Sequence, residues 1–135
     1  MLRILRIVTR LLLAALFLFA GTVHLRNPGL FMQVMPPAIP WPMGCILFSG
    51  VCELLGGLGL LIPVRPIQLL SGWGLTLLLL AVFPANIYMA VDNVRVNGHL
   101  IPAWLLWLRL PLQPLLIGGV LWVTRAWHPN CSRRE

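Results

Sequence analysis

The chain has 135 residues, of which 59% are hydrophobic and only 10% are charged, and its mean hydropathy is +0.91. A soluble domain carries about a quarter charged residues, so this composition predicts that most of the surface faces lipid rather than water. The net charge of +7 does not indicate nucleic-acid binding, because the basic residues stand singly between long apolar runs instead of forming one basic face.

Four segments have the length and apolar character of bilayer-spanning helices, which need about 20 mostly apolar residues. They cover approximately residues 4–23, 44–62, 67–90 and 101–124. Backbone groups in lipid must be satisfied within the segment, which favours helices. We therefore predict an all-α membrane protein, with residues 1–135 forming one membrane domain built as a four-transmembrane-helix bundle.

The first span contains the run LLLAALFLFAG and ends near His24, and three arginines lie at its start. This pattern also fits a secretory signal peptide, but we expect an uncleaved helix. The segment that follows, residues 25–43, holds prolines at 28, 36, 37, 40 and 42 and cannot be one helix. We expect it to fold over the outer membrane interface, with a short half-buried turn at residues 30–35.

The second span, GCILFSGVCELLGGLGLLIP, carries a single charge, Glu53. Small residues lie one helical turn to either side of it: Ser49, Gly50, Gly56 and Gly57. Because small residues let helices approach closely in lipid, Glu53 is predicted to face the bundle interior. The tight turn Pro63–Pro66 makes spans two and three antiparallel neighbours.

The third span places Asn86 near its outer end, just after a predicted kink at Pro84, and a polar loop over residues 91–100 is expected outside. The fourth span holds Arg109 and, one turn further on, Gln113. Glu53 and Arg109 are both about 12–13 Å below the outer end of their spans, given the rise of an α-helix. Since unpaired charges in a membrane are costly, we predict that these two form an ion pair; if they do not, protonated His24 is the next cation available to Glu53.

One polar patch in the outer half of the bundle is therefore predicted, as a ligand-binding or polar pocket: His24, Glu53, Asn86, Arg109 and Gln113. No catalytic residue is assigned. A structural interpretation stays open, in which a buried ion pair and its amide neighbours hold the helices in register.

Metal and haem sites are not expected. Cys45, Cys52 and Cys131 form no CxxC pair or metal-ligand spacing, and the first two are about 10 Å apart along one helix, too far for a disulfide. Haem would need histidines on facing helices, whereas His99 lies in a loop and His128 on the opposite side.

The arginines predict the orientation, since cytoplasmic loops are enriched in basic residues. Seven lie on one side: Arg3, Arg6, Arg10, Arg65, Arg125, Arg133 and Arg134; two lie on the other: Arg26 and Arg95. We expect a multi-pass protein of the cell inner (cytoplasmic) membrane with both termini in the cytoplasm.

Several motifs in order, AGTVHLRNPGLF, MPPAIP, SGVCELLGGLGLLIPVR, VFPANIYMA and RLPLQPLLI, resemble the DoxX family of small bacterial four-helix membrane proteins. The resemblance covers about residues 20–122 and makes the five patch residues the family's recurrent polar positions. It implies a subunit or partner of a quinone-linked redox system, with a quinone head group held by donors of His24 and Arg109 and a redox protein as partner.

The sequence lacks the CxxC pair of a disulfide-exchange enzyme. The alternative function is a non-catalytic membrane scaffold or assembly subunit. A proton or small-solute pathway is less well supported, because only Ser71 and Thr76 extend the polar set towards the cytoplasmic side. Whether the protein is an enzyme, and whether it forms a homo-oligomer, are left open.

Overall fold

The computed structural model describes residues 1–125. Its elements in chain order are α1 (Leu2–Arg26), α2 (Pro28–Met32), α3 (Pro42–Leu61), α4 (Arg65–Asp92), β1 (Arg95–Val96), β2 (His99–Leu100) and α5 (Ala103–Thr124). The predictions that concern His128, Cys131, Arg133 and Arg134 lie outside the described residues.

The four predicted spans are confirmed as α1, α3, α4 and α5, with ends that differ by two or three residues at most. All four are long and apolar enough to cross a membrane, at about 30 to 42 Å given the rise per residue of an α-helix. The chain is therefore an all-α, four-helix integral membrane protein. Pro84, Pro111 and Pro114 lie within helices that continue past them.

Each long helix packs against two neighbours and lies diagonal to the third. Helix α1 packs on α3 and α5, and α4 packs on the same two helices. Neighbours are antiparallel: Gly21 of α1 lies beside Gly50 of α3, while Gly57 lies beside Leu18. Consequently α3 and α5 occupy opposite corners of the bundle, as do α1 and α4.

The most extensive seam, between α1 and α3, depends on glycine. A methyl group added at Gly21 would lie 2.7 Å from the Gly50 carbonyl oxygen, well inside the roughly 3.5–4.0 Å separation at which heavy atoms attract. A methyl group added at Gly56 or Gly59 would likewise overlap the side chain of Leu75 or Ser71 of α4. The small residues predicted to face inward around Glu53 do so.

The two ends of the bundle differ in character. We call the end with Arg3, Arg6, Arg10, Arg65 and Arg125 the arginine-rich end, and the end with residues 27–41 and 93–102 the loop end. An apolar core of buried side chains, including Leu13, Phe17, Leu60, Leu75 and Val120, joins the four long helices. Outward-facing apolar residues such as Phe19 and Leu115 are 70% and 69% exposed. A surface of this kind suits lipid rather than water.

The loop end is more ordered than the sequence analysis predicted. Residues 95–100 form an antiparallel β-hairpin, whose turn residues Asn97 and Gly98 both have positive φ, 52° and 79°, as a two-residue Asn-Gly hairpin turn requires. The short turn expected at residues 30–35 is instead helix α2. Gln33 Nε2 donates to Asn97 Oδ1 (3.2 Å) and the Asn97 backbone N–H donates to Gln33 Oε1 (2.7 Å), which joins the two loops.

Candidate functional site

His24 and Glu53 form the polar contact between α1 and α3. His24 Nδ1 lies 2.8 Å from Glu53 Oε2, and the two side chains are only 19% and 12% exposed. The same nitrogen lies 2.9 Å from the Ala20 carbonyl oxygen, one turn earlier in α1. The partner of Glu53 is thus a histidine and not an arginine.

The two partners of Nδ1 determine which nitrogen of His24 carries a proton. A backbone carbonyl oxygen can only accept a hydrogen bond, so the Ala20 contact requires a proton on Nδ1, and the Glu53 carboxylate accepts from the same N–H. Nε2 makes no hydrogen bond to any of residues 1–125. His24 is therefore oriented by its backbone and carboxylate contacts, with Nε2 as the nitrogen left to exchange a proton.

The local fold explains how Glu53 reaches His24. A helical side chain leans towards the N-terminus of its own helix, so Glu53 extends to the turn that contains Gly50. A methyl group at Gly50 would lie 2.9 Å from His24 Cβ, which means that a larger residue there would push the histidine away. Gly50 is thus a structural requirement of the His24–Glu53 contact.

Phe31 of α2 covers one face of His24. The two ring centroids are 3.9 Å apart with an interplanar angle of 28°, a stacked arrangement. The residue comes from the loop that follows α1, which returns the chain over the histidine. The sequence analysis did not select Phe31, and its only signal was an aromatic residue inside the proline-rich loop.

The predicted ion pair between Glu53 and Arg109 is wrong: the carboxylate binds His24, the alternative cation, and Arg109 makes no ion pair within residues 1–125. The physical reason is helix order, since α3 and α5 are diagonal in the bundle. Arg109 is exposed on the surface of α5, about 9 Å along the helix from Ala103, given the helical rise.

Asn86 and Gln113 form a second polar contact, between α4 and α5. Asn86 Nδ2 donates to Gln113 Oε1 (2.6 Å), and Gln113 Nε2 donates to the Leu79 carbonyl oxygen. Gln113 is 4% exposed, so both ends of its amide are satisfied in the interior. The carbonyl that it binds lies on the facing helix, five residues before Pro84.

The five predicted patch residues are therefore arranged as two separate contacts and one exposed side chain. His24 with Glu53 joins α1 to α3, and Asn86 with Gln113 joins α4 to α5. No hydrogen bond or ion pair between residues 1–125 links the two contacts. That the five form one ligand pocket stays a prediction.

The other side chains that can ligate metals do not form a cluster within residues 1–125. Within residues 1–125 no group of three or more His, Cys, Asp or Glu side chains is placed to hold a metal ion. Cys45 and Cys52 are both free thiols, and His99 lies exposed in β2.

Comparison with known proteins finds a family that covers most of the chain. Residues 13–124 match a family described as a domain of unknown function (DUF8561); no curated protein and no solved structure matches the chain. The match does not name DoxX, so that resemblance stays a prediction. Because the match spans most of the sequence, from the middle of α1 to the end of α5, the chain belongs to the DUF8561 family.

Proposed function

We propose that this four-helix membrane protein is of the DoxX type and serves a quinone-linked redox system, binding a quinone head group at His24 and exchanging a proton with it. The observation that carries the proposal is the double contact of His24 Nδ1 with Ala20 and Glu53, which leaves Nε2 without a partner in residues 1–125. The half-buried position in the membrane supports a ligand that arrives from lipid.

The side chains around His24 fit a quinone in two respects. When both nitrogens are protonated, Nε2–H can donate to a carbonyl oxygen, and when His24 is neutral, Nε2 can accept from a hydroxyl group. The stacking of Phe31 at 3.9 Å shows that a flat aromatic ring packs well against the imidazole. A quinone would supply the transfer of two electrons coupled to two protons.

Glu53 has a defined role in this proposal. Its carboxylate accepts the hydrogen bond of His24 Nδ1–H and so holds the ring in one orientation. Phe31 covers one face of the ring. The residues therefore bind and orient the head group and hold the proton at Nε2, and the electrons are exchanged with a redox partner protein.

A binding experiment tests the proposal. Full-length protein in detergent is titrated with a soluble ubiquinone analogue, and H24Q is expected to raise the Kd at least tenfold. The matched control is H99Q, which changes the other described histidine, exposed in β2, and should leave the Kd unchanged. Wild-type protein that binds no analogue, or folded H24Q that binds as tightly as wild type, would overturn the quinone proposal.

Arg109 has a separate test. The resemblance implies that its guanidinium is the second donor to the quinone, although the side chain lies on the exposed surface of α5. If so, R109Q weakens binding of the analogue while circular dichroism stays unchanged. An unchanged Kd in R109Q would remove Arg109 from the site and leave His24 as the donor.

The second candidate function, a non-catalytic scaffold, is favoured by the Asn86–Gln113 contact. A buried amide whose donor and acceptor are both satisfied acts as a register device between helices. In that case the His24–Glu53 contact would have the same role between α1 and α3. Loss of stability in H24Q without any quinone binding by wild type would support the scaffold.

The proposed location is the cell inner membrane with both termini in the cytoplasm. In the structure Arg3, Arg6, Arg10, Arg65 and Arg125 lie at one end of the bundle. Arg26 and Arg95 lie at the loop end. This separation supports the orientation predicted from the positive-inside rule.

A further inference from the structure

The arginine-rich end has an unbalanced charge on α1. Every basic residue in the chain is arginine, and within residues 1–125 the acidic side chains are Glu53 and Asp92. Glu53 lies in the middle of α3 and binds His24, while Asp92 ends α4 at the opposite end of the bundle. No described carboxylate is therefore at the level of Arg6 and Arg10.

Arg6 and Arg10 are held at the seam between α1 and α5. They are four residues apart and so lie on one face of α1, and both are half-buried. The guanidinium carbon of Arg6 lies 5.6 Å from the centroid of the Trp122 ring of α5, within cation–π range. The Nε atoms of both arginines are buried, and neither side chain makes a hydrogen bond to residues 1–125.

Arg65, at the same end, also has a buried Nε without a partner, but its terminal nitrogens are satisfied. Arg65 donates two hydrogen bonds, to the carbonyl oxygens of Thr124 and Arg125, and so caps the C-terminus of α5. Arg6 and Arg10 have no such acceptors. An anion would offset the repulsion between two like charges about 6 Å apart along a helix, and guanidinium groups bind phosphate oxygens in a bidentate manner.

The depth of the pair indicates which anion. Arg10 is about 12 Å along α1 from Leu2, given the helical rise, and it is followed directly by Leu11 and Leu12, which are 51% and 66% exposed. An apolar surface at this level faces lipid, so a water-soluble acidic protein would have to enter the bilayer to reach Arg10. A phospholipid presents its phosphate and its acyl chains at the required levels together.

We infer that Arg6 and Arg10 bind the phosphate of an anionic phospholipid in the groove between α1 and α5, with Trp122 beside the head group. The lipid oxygens accept from the two guanidinium groups, and the acyl chains lie along the exposed leucines of α1. Anionic lipids are recognised by basic residues between transmembrane helices in this manner. The site is distinct from the His24 region at the loop end and does not depend on quinone binding.

Native mass spectrometry of the full chain with added dioleoyl-phosphatidylglycerol tests the inference. The double variant R6Q/R10Q is expected to raise the Kd for this lipid at least tenfold. The matched control is R3Q, which removes one charge from the same helix and the same end at an exposed residue, and should change the Kd by less than about 1.5-fold. Phosphatidylcholine should bind wild type at least tenfold more weakly than phosphatidylglycerol.

Three results would overturn the site. The first is equal loss of binding per charge in R3Q and in R6Q/R10Q, which would mean non-specific attraction. The second is unchanged binding in a folded R6Q/R10Q protein. If the glutamine variant does not fold, R6K/R10K takes its place. Lysine keeps the charge but cannot make the bidentate contact, so R6K/R10K should also weaken binding. The third is displacement of the lipid by inorganic phosphate or by an acidic peptide at constant ionic strength.

Discussion

Replacing His24 and Glu53 by leucine, singly and together, should reveal an energetic coupling between α1 and α3. Both side chains are more than four-fifths buried, at 19% and 12% exposed, so the contact belongs with buried pairs rather than with surface salt bridges of about 0–1 kcal/mol. A hydrogen bond to a charged group contributes about 1.5–3 kcal/mol. We expect a coupling of about 2 kcal/mol, roughly 30-fold in the unfolding equilibrium.

The two single variants should not be equally unstable. In E53L, His24 keeps its hydrogen bond to the Ala20 carbonyl oxygen, so the loss should be about 1–2 kcal/mol. In H24L, the Glu53 carboxylate loses its described partner inside the bundle, and stranding a buried charge costs about 3–5 kcal/mol. The double variant strands nothing and should be more stable than H24L.

Unfolding in mixed micelles with increasing dodecyl sulfate, followed by circular dichroism, provides the four free energies of the double-mutant cycle. Each variant is compared with wild type at the same detergent composition. If the two single losses simply add, with a coupling below about 0.5 kcal/mol, the 2.8 Å contact does not stabilise the fold and the reasoning from burial fails.

Four further predictions concern the rest of the bundle. G21A should lower the free energy of unfolding by about 1–3 kcal/mol through overpacking, because its methyl group would lie 2.7 Å from a carbonyl oxygen of α3. The control is G118A, whose methyl group would have nothing within 4 Å; it should be neutral or slightly stabilising in the same assay. Q113L removes two interhelical hydrogen bonds and should lower the free energy of unfolding by about 1–3 kcal/mol, since each such bond in a membrane contributes on average about 0.6 and at most about 1.7 kcal/mol. An unchanged unfolding midpoint would contradict this. R65Q should speed hydrogen exchange in the last turn of α5, which Arg65 caps, and unchanged protection there would show that the cap is dispensable. Cys131, as the single remaining cysteine, should be shielded from impermeant maleimide in intact cells, and ready labelling would reverse the proposed orientation.

The spans could be predicted from the sequence because hydropathy and length are properties of each segment alone. The inward face of α3 could be predicted for a related reason: the glycines around Glu53 serve no purpose on a lipid-facing surface, and they do pack on α1 and α4. The hairpin at residues 95–100 was missed although its signal was present, since Asn-Gly is the strongest short indicator of such a turn.

The partner of Glu53 could not be predicted in the same way. The sequence indicates how deep a residue lies in the membrane, but not which helices are neighbours. Equal depth of Glu53 and Arg109 therefore did not show that their helices are in contact. With α3 and α5 on a diagonal, equal depth brings no contact. The Phe31–His24 stack likewise depends on how the proline-rich loop returns over α1, which no periodic pattern specifies.

The ring order of the helices also sets an order of assembly during synthesis. His24, Phe31 and Glu53 all belong to the first 61 residues, so their contacts can form as soon as α3 has entered the bilayer, before α4 and α5 have inserted. The seam between α1 and α5, with Arg6 against Trp122, closes only when the final helix arrives. A chain stalled after α3 would therefore already possess the histidine–carboxylate contact, but it would expose to lipid the flank of α1 that the last helix covers.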